Sequence, residues 1–199
     1  MKKIVVSHWM NSIKKKKMYN EIELAEIEYG LTGIYLTLSK LIIIIIISSL
    51  LGILPYTILL LIFFNLIRIT AFGLHAKKSI YCLLESIAFF VIIPIIIKNL
   101  EINFIIRIIV GTINIILIFI FSPADTFKRP LINKKRRCIY KYISTTTSII
   151  YLIISLIIKD TYIQNCCIFS LIIENILILP ITYKLTNEPY SNYKKFIVN

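Results

Sequence analysis

Two residues of this 199-residue chain have the types and spacing for covalent chemistry. They are His75 and Cys82, in the segment Arg68-Ile-Thr-Ala-Phe-Gly73-Leu-His75-Ala-Lys-Lys-Ser79-Ile-Tyr-Cys82-Leu-Leu-Glu85-Ser86. A thiol becomes a strong nucleophile when it loses its proton near neutral pH, and a neighbouring imidazole or positive charge brings that about. Lys77 and Lys78 lie between the two residues, and Cys82 falls in the first turns of an apolar stretch, where a helix dipole favours an anion. The spacing makes a demand on the backbone. On one straight helix His75 and Cys82 would share a face but lie about 10 Å apart along the axis. Hydrogen-bond reach is about 3 Å. A break is therefore predicted, and Gly73 is placed to let His75 sit on a loop folded back over the helix start. A pair formed across a homodimer interface is the other route. Ser79 and Ser86 share the Cys82 face, as functional hydroxyls or as small residues that let helices approach. Glu85 lies one turn into the apolar stretch, where an ionisable group is costly and marks a functional candidate; its structural partner would be Lys77, Lys78 or Arg68.

A second segment, Phe121-Ser-Pro-Ala-Asp125-Thr126-Phe-Lys-Arg-Pro130-Leu-Ile-Asn-Lys-Lys-Arg-Arg-Cys138, brackets a stiff turn between Pro123 and Pro130. Asp125 and Thr126 can cap the local backbone, and Asp125 can either orient His75 or pair with Lys128 or Arg129. Lys128, Arg129, Lys134, Lys135, Arg136 and Arg137 suit anionic lipid headgroups or an acidic peptide tail.

The elements that must position these residues are membrane helices. Apolar residues make up 58% of the chain, against roughly 45–50% for a soluble domain. Mean hydropathy is +0.84. A water-soluble core could not hide so much apolar chain, whereas lipid tails solvate it directly. At about 20 apolar residues per crossing, the sequence predicts an all-α integral membrane protein. Six spans are expected, near 31–51, 54–68, 80–97, 103–121, 142–158 and 165–183, with a tight hairpin at Gly52 and Pro55. Residues 1–30 form an amphipathic, basic region that lies along an anionic membrane surface or packs on the rest of the protein. Residues 31–184 form one polytopic domain carrying the catalytic segment 68–86 and a basic loop at 122–141, and residues 185–199 form a tail. Lys40 and Arg107 fall within or near spans and are expected to snorkel.

Lysines and arginines sort the connections. Six precede the first span, none lies in the hairpin, three follow the second span (Arg68, Lys77, Lys78), and Lys98 stands alone after the third. Seven lie between residues 128 and 141, Lys159 follows alone, and Lys184, Lys194 and Lys195 close the chain. This alternation predicts six spans with both termini in the cytoplasm. It also explains the +13 net charge by topology rather than by nucleic acid, for which no aromatic-interleaved basic platform exists. The cysteines (Cys82, Cys138, Cys166, Cys167) lack zinc spacing, so neither metal nor cofactor is expected.

Together the two segments resemble the accessory gene regulator B (AgrB) family of membrane cysteine endopeptidases of quorum-sensing systems. The resemblance rests on Arg68, Gly73, His75-Ala76, Ser79, Cys82 and Ser86, then on Pro123-Ala124-Asp125-Thr126 and Lys128-Arg129-Pro130, and spans nearly the whole chain. It implies that Cys82 cleaves an AgrD-like propeptide through a thioester acyl-enzyme, with His75 as base and then acid. A Cys or Ser of the peptide would then close a thiolactone or lactone autoinducing peptide. Many family members carry two adjacent glycines before the histidine, where this chain reads Ala71-Phe72-Gly73. A small transporter or peptide exporter would account for the helices and Glu85 but leaves Cys82 without a task.

Overall fold

The computed structural model describes residues 2–14, 19–74, 79–127 and 130–196. Every element among them is helical. In chain order these are α1 (Lys2–Lys14), α2 (Glu21–Leu50), α3 (Leu54–Ala71), α4 (Ser79–Ile87), a π-helical turn (Ala88–Ile92) running into α5 (Ile93–Ile97), α6 (Phe104–Phe121), α7 (Lys134–Ile157), α8 (Thr161–Ile178), α9 (Pro180–Leu185) and a final 3-10 turn (Asn192–Phe196). Six of these segments are long and apolar enough to cross a membrane: α2, α3, the continuous run Ser79–Ile97, α6, α7 and α8. The chain is a membrane-embedded helical bundle.

Local chemistry sets the helix ends, and several differ from the predicted spans. α2 begins ten residues early because Asn20 and Glu23 form a reciprocal capping box. Its 30 residues reach about 45 Å, longer than a hydrocarbon core of about 30 Å. The four glutamates in residues 21–28 therefore belong to a part of the helix that projects from the apolar layer. α7 also begins earlier than expected. Asn133 caps it by accepting from the Arg136 amide, so Lys134, Lys135, Arg136 and Arg137 form its first turn and not the end of a loop. The sixth crossing starts at Thr161 behind an Asp160 cap and stops at Ile178, before Pro180, rather than running over 165–183.

α8 sits at the centre, packed on α3, α6 and α7. Cys166, Cys167, Leu171, Ile173 and Ile178 on it have no exposed surface. Lipid supplies no hydrophobic drive between helices, so polar groups stitch the bundle. Tyr151 donates to Phe63 O and Tyr162 to Tyr56 O, each at 2.7 Å. Asn165 donates to Ile97 O and Leu100 O, and Asn175 to the Asn114 side chain at 2.6 Å. Thr57 donates to Phe90 O inside the π-helical turn. Arg107 does not snorkel: it is buried and donates to Ser155 O and Ile102 O, both at 2.8 Å. α1 folds its apolar side onto α2, burying Val6 and Met10 and setting Trp9 edge-on to Tyr35.

Candidate active site

α3 stops at Ala71, Gly73 and Leu74 are not helical, and Cys82 lies on α4, which is described from Ser79 onward. His75, Lys77, Lys78, Lys128 and Arg129 lie outside the described residues. The strand of chain leading to His75 is described and is fixed on three sides. Gly73 N donates to Ala124 O (2.8 Å) while Ala124 N donates to Ala71 O (2.9 Å), which lays residues 72–74 against the Pro123-Ala124-Asp125 turn. Leu74 N donates to Leu177 O (2.9 Å) at the end of α8. Arg68 Nη2 donates to Leu74 O at 2.6 Å from one turn back on α3.

Gly73 is required by this arrangement. Its φ is +108°, in the left-handed region that side chains avoid. A Cβ there would lie 2.3 Å from Arg68 Nη1 and 2.9 Å from Leu177 O. Phe72 adopts φ +62° without being glycine, a strained geometry held by its ring against Tyr140, with centroids 5.3 Å apart.

Arg68 has a partner that sequence reasoning missed. Its Nη1 faces Glu174 of α8 at 3.3 Å, and Glu174 has no exposed surface. One guanidinium thus grips a buried carboxylate and the carbonyl just before His75. The sequence signal was available: Glu174 is the one acidic residue in α8.

Asp125 is buried, and both its carboxylate oxygens are engaged. Oδ1 accepts from Asn192 N (2.9 Å), and Oδ2 from Tyr193 N (2.7 Å) and Leu131 N (3.2 Å). These contacts clasp the C-terminal 3-10 turn to the turn after α6. Beyond the end of α8, burial above all pushes the Tyr183 phenol's pKa up, so the hydroxyl keeps its proton and donates to Asp125 O at 3.1 Å.

Cys82 is half-buried, and its Sγ accepts from the Lys40 ammonium of α2 at 2.9 Å. Ser86 donates to Cys82 O at 2.7 Å, which commits that hydroxyl to its own helix, and Ser79 is exposed at the start of α4. Glu85 is half-buried, with Arg68 and Lys40 as its cationic neighbours. Of the basic residues expected to face an anionic partner, Lys134, Lys135 and Arg136 are exposed, while Arg137 stacks on Tyr193 at 3.4 Å. Cys166 and Cys167 are fully buried core thiols and Cys138 is exposed on α7.

No solved structure matches the chain. It is 37% identical to an AgrB-like protein of Clostridium acetobutylicum over 175 residues, covering 88% of this chain and 84% of the relative. It is 33% identical to the accessory gene regulator protein B of Staphylococcus aureus strain Newman over 182 residues, covering 89% and 93%. The family model described as Accessory gene regulator B matches residues 6–178, and the chain belongs to that family of accessory gene regulators.

Proposed function

We propose that this protein is a cysteine endopeptidase that cuts an AgrD-like propeptide at the junction of its ring segment and acidic tail. His75 takes the Cys82 thiol proton, and the thiolate attacks the carbonyl carbon at that junction. The tetrahedral intermediate collapses as the C–N bond breaks, and the His75 imidazolium gives its proton to the leaving amine. Cys82 is left acylated as a thioester, which keeps the activation of the broken bond. A Cys or Ser of the bound peptide then attacks that carbonyl, closing the thiolactone or lactone and returning the Cys82 sulfur. Apolar surroundings favour this outcome over hydrolysis by keeping water out.

The observation that supports this reading is the end of α3 at Ala71 and the non-helical Gly73 and Leu74 directly before His75. The pinned residues 72–74 fix where the chain enters the segment that carries His75.

The lysine and arginine alternation puts the α3–α4 junction, the basic start of α7 and both termini on the cytoplasmic side of the cell membrane. Exposed Lys134, Lys135 and Arg136 there suit the acidic tail of the substrate. The test is co-expression with a short peptide containing a Cys or Ser and an acidic tail. Cys82→Ala and His75→Ala each leave the peptide uncut with membrane abundance unchanged. Cleavage that survives Cys82→Ala overturns the reading, and near-normal function in Cys82→Ser would favour a transporter.

A further inference from the structure

We infer that Lys40 is the counter-ion of the Cys82 sulfur, holding the nucleophile as an anion against α2 and exchanging it for Glu85 once the sulfur is acylated. The inference rests on the peptidase reading above for its biological meaning, but its physical content is separate.

The geometry is specific. Lys40 lies well inside the apolar part of α2, flanked by Leu38 and the isoleucine run that starts at Ile42. A cation at such a position is expensive, and it is kept where it has a partner. Snorkelling would carry the ammonium along α2 toward water. Instead it crosses to α4 and donates to Cys82 Sγ at 2.9 Å, both side chains being half-buried. Among the described residues the other charged groups around it are Glu85, one turn further along α4, and Arg68, which is engaged by Glu174 and Leu74 O. Arg68 is therefore occupied, and Lys40 is the cation that contacts the sulfur among the described residues.

This arrangement suits a sulfur whose charge changes during turnover. When His75 removes the thiol proton, the sulfur becomes an anion beside a fixed ammonium in a medium that screens charge poorly. When the S–C bond forms, the sulfur loses that charge. The ammonium keeps its three protons throughout, and Glu85, whose charge it feels without a direct ion pair, is the carboxylate left to balance it in the acyl-enzyme. When the peptide's own nucleophile displaces Cys82, the negative charge and its counter-ion are restored together.

The experiment uses the full-length protein in lipid nanodiscs. The rate of iodoacetamide alkylation at Cys82 is followed by peptide mass spectrometry, with exposed Cys138 as the internal standard. Lys40→Met, which suits an apolar layer, is expected to slow Cys82 alkylation at neutral pH by about tenfold or more, the scale of a hydrogen bond to a charged group. Cys138 should be unaffected, and the pH profile of Cys82 alkylation should move upward. Lys40→Arg keeps the charge and should retain most of the rate. Wild-type alkylation in Lys40→Met overturns the inference, and so does an equal loss in the Arg and Met proteins. Peptide cleavage measured alongside keeps the two ideas apart. If Cys82→Ala still cuts, the peptidase reading fails whatever Lys40 does. If Cys82→Ala is inert but Lys40→Met alkylates normally, only the counter-ion role fails.

Discussion

Replacing Gly73 by alanine should cripple the protein through the loop that carries His75, without touching His75 or Cys82. The backbone there sits at φ +108°, and holding an alanine in such a conformation costs about 1–3 kcal/mol. The new methyl would also lie 2.9 Å from the Leu177 carbonyl, a backbone atom of α8 that cannot swing aside. Its 2.3 Å approach to Arg68 Nη1 must be relieved by moving the guanidinium, which stands 3.3 Å from the fully buried Glu174 carboxylate. Breaking one side of a buried pair costs about 3–5 kcal/mol. The two effects exceed about 4 kcal/mol together, even with partial relaxation. Each 1.36 kcal/mol is about tenfold in an equilibrium, so the native loop should be depleted more than about a hundredfold. The assay is cleavage of the co-expressed propeptide, normalised to membrane abundance, for Gly73→Ala beside wild type. Wild-type cleavage in that variant would refute the claim that a fixed loop conformation positions the histidine.

Two further outcomes follow from the same contacts. Glu174→Gln strands the Arg68 charge in the bundle and should lower folded abundance, whereas Arg68→Met combined with Glu174→Leu should restore abundance in a detergent extraction assay without restoring cleavage, because Leu74 O still lacks its donor. Asp125→Asn weakens the carboxylate that accepts three backbone amides, at about 1–3 kcal/mol. It should speed trypsin cutting at Lys194 and Lys195 and leave Cys82 alkylation unchanged; altered alkylation with an intact tail would instead make Asp125 a partner of the reacting pair.

The six crossings were legible because an apolar run of about 20 residues has few other solutions, and Gly73 was legible as the residue able to leave the helix ahead of His75. Charges inside the spans were harder. Lys40 and Arg107 looked like residues that reach for water, since a one-dimensional reading offers a lone cation no partner. The partners lie on other helices, 42 residues away for Lys40 and 48 for Arg107. Glu174 was passed over for the same reason, its guanidinium being 106 residues distant. The early starts of α2 and α7 were visible only as caps, Asn20 with Glu23 and Asn133, which hydropathy ignores. Asp125 read either as an orienter of His75 or as a turn residue paired with Lys128 or Arg129, because its tail contacts, at Asn192 and Tyr193, are remote in sequence.

The most direct measurement is capture of the acyl-enzyme. Purified protein is mixed with propeptide in nanodiscs, quenched in acid within one turnover, and digested for mass spectrometry. The account predicts the N-terminal part of the peptide attached to Cys82 through a bond that neutral hydroxylamine releases as the hydroxamate. Cleaved tail accumulating with Cys82 unmodified at every time point, or the adduct forming on Cys138 instead, would contradict it.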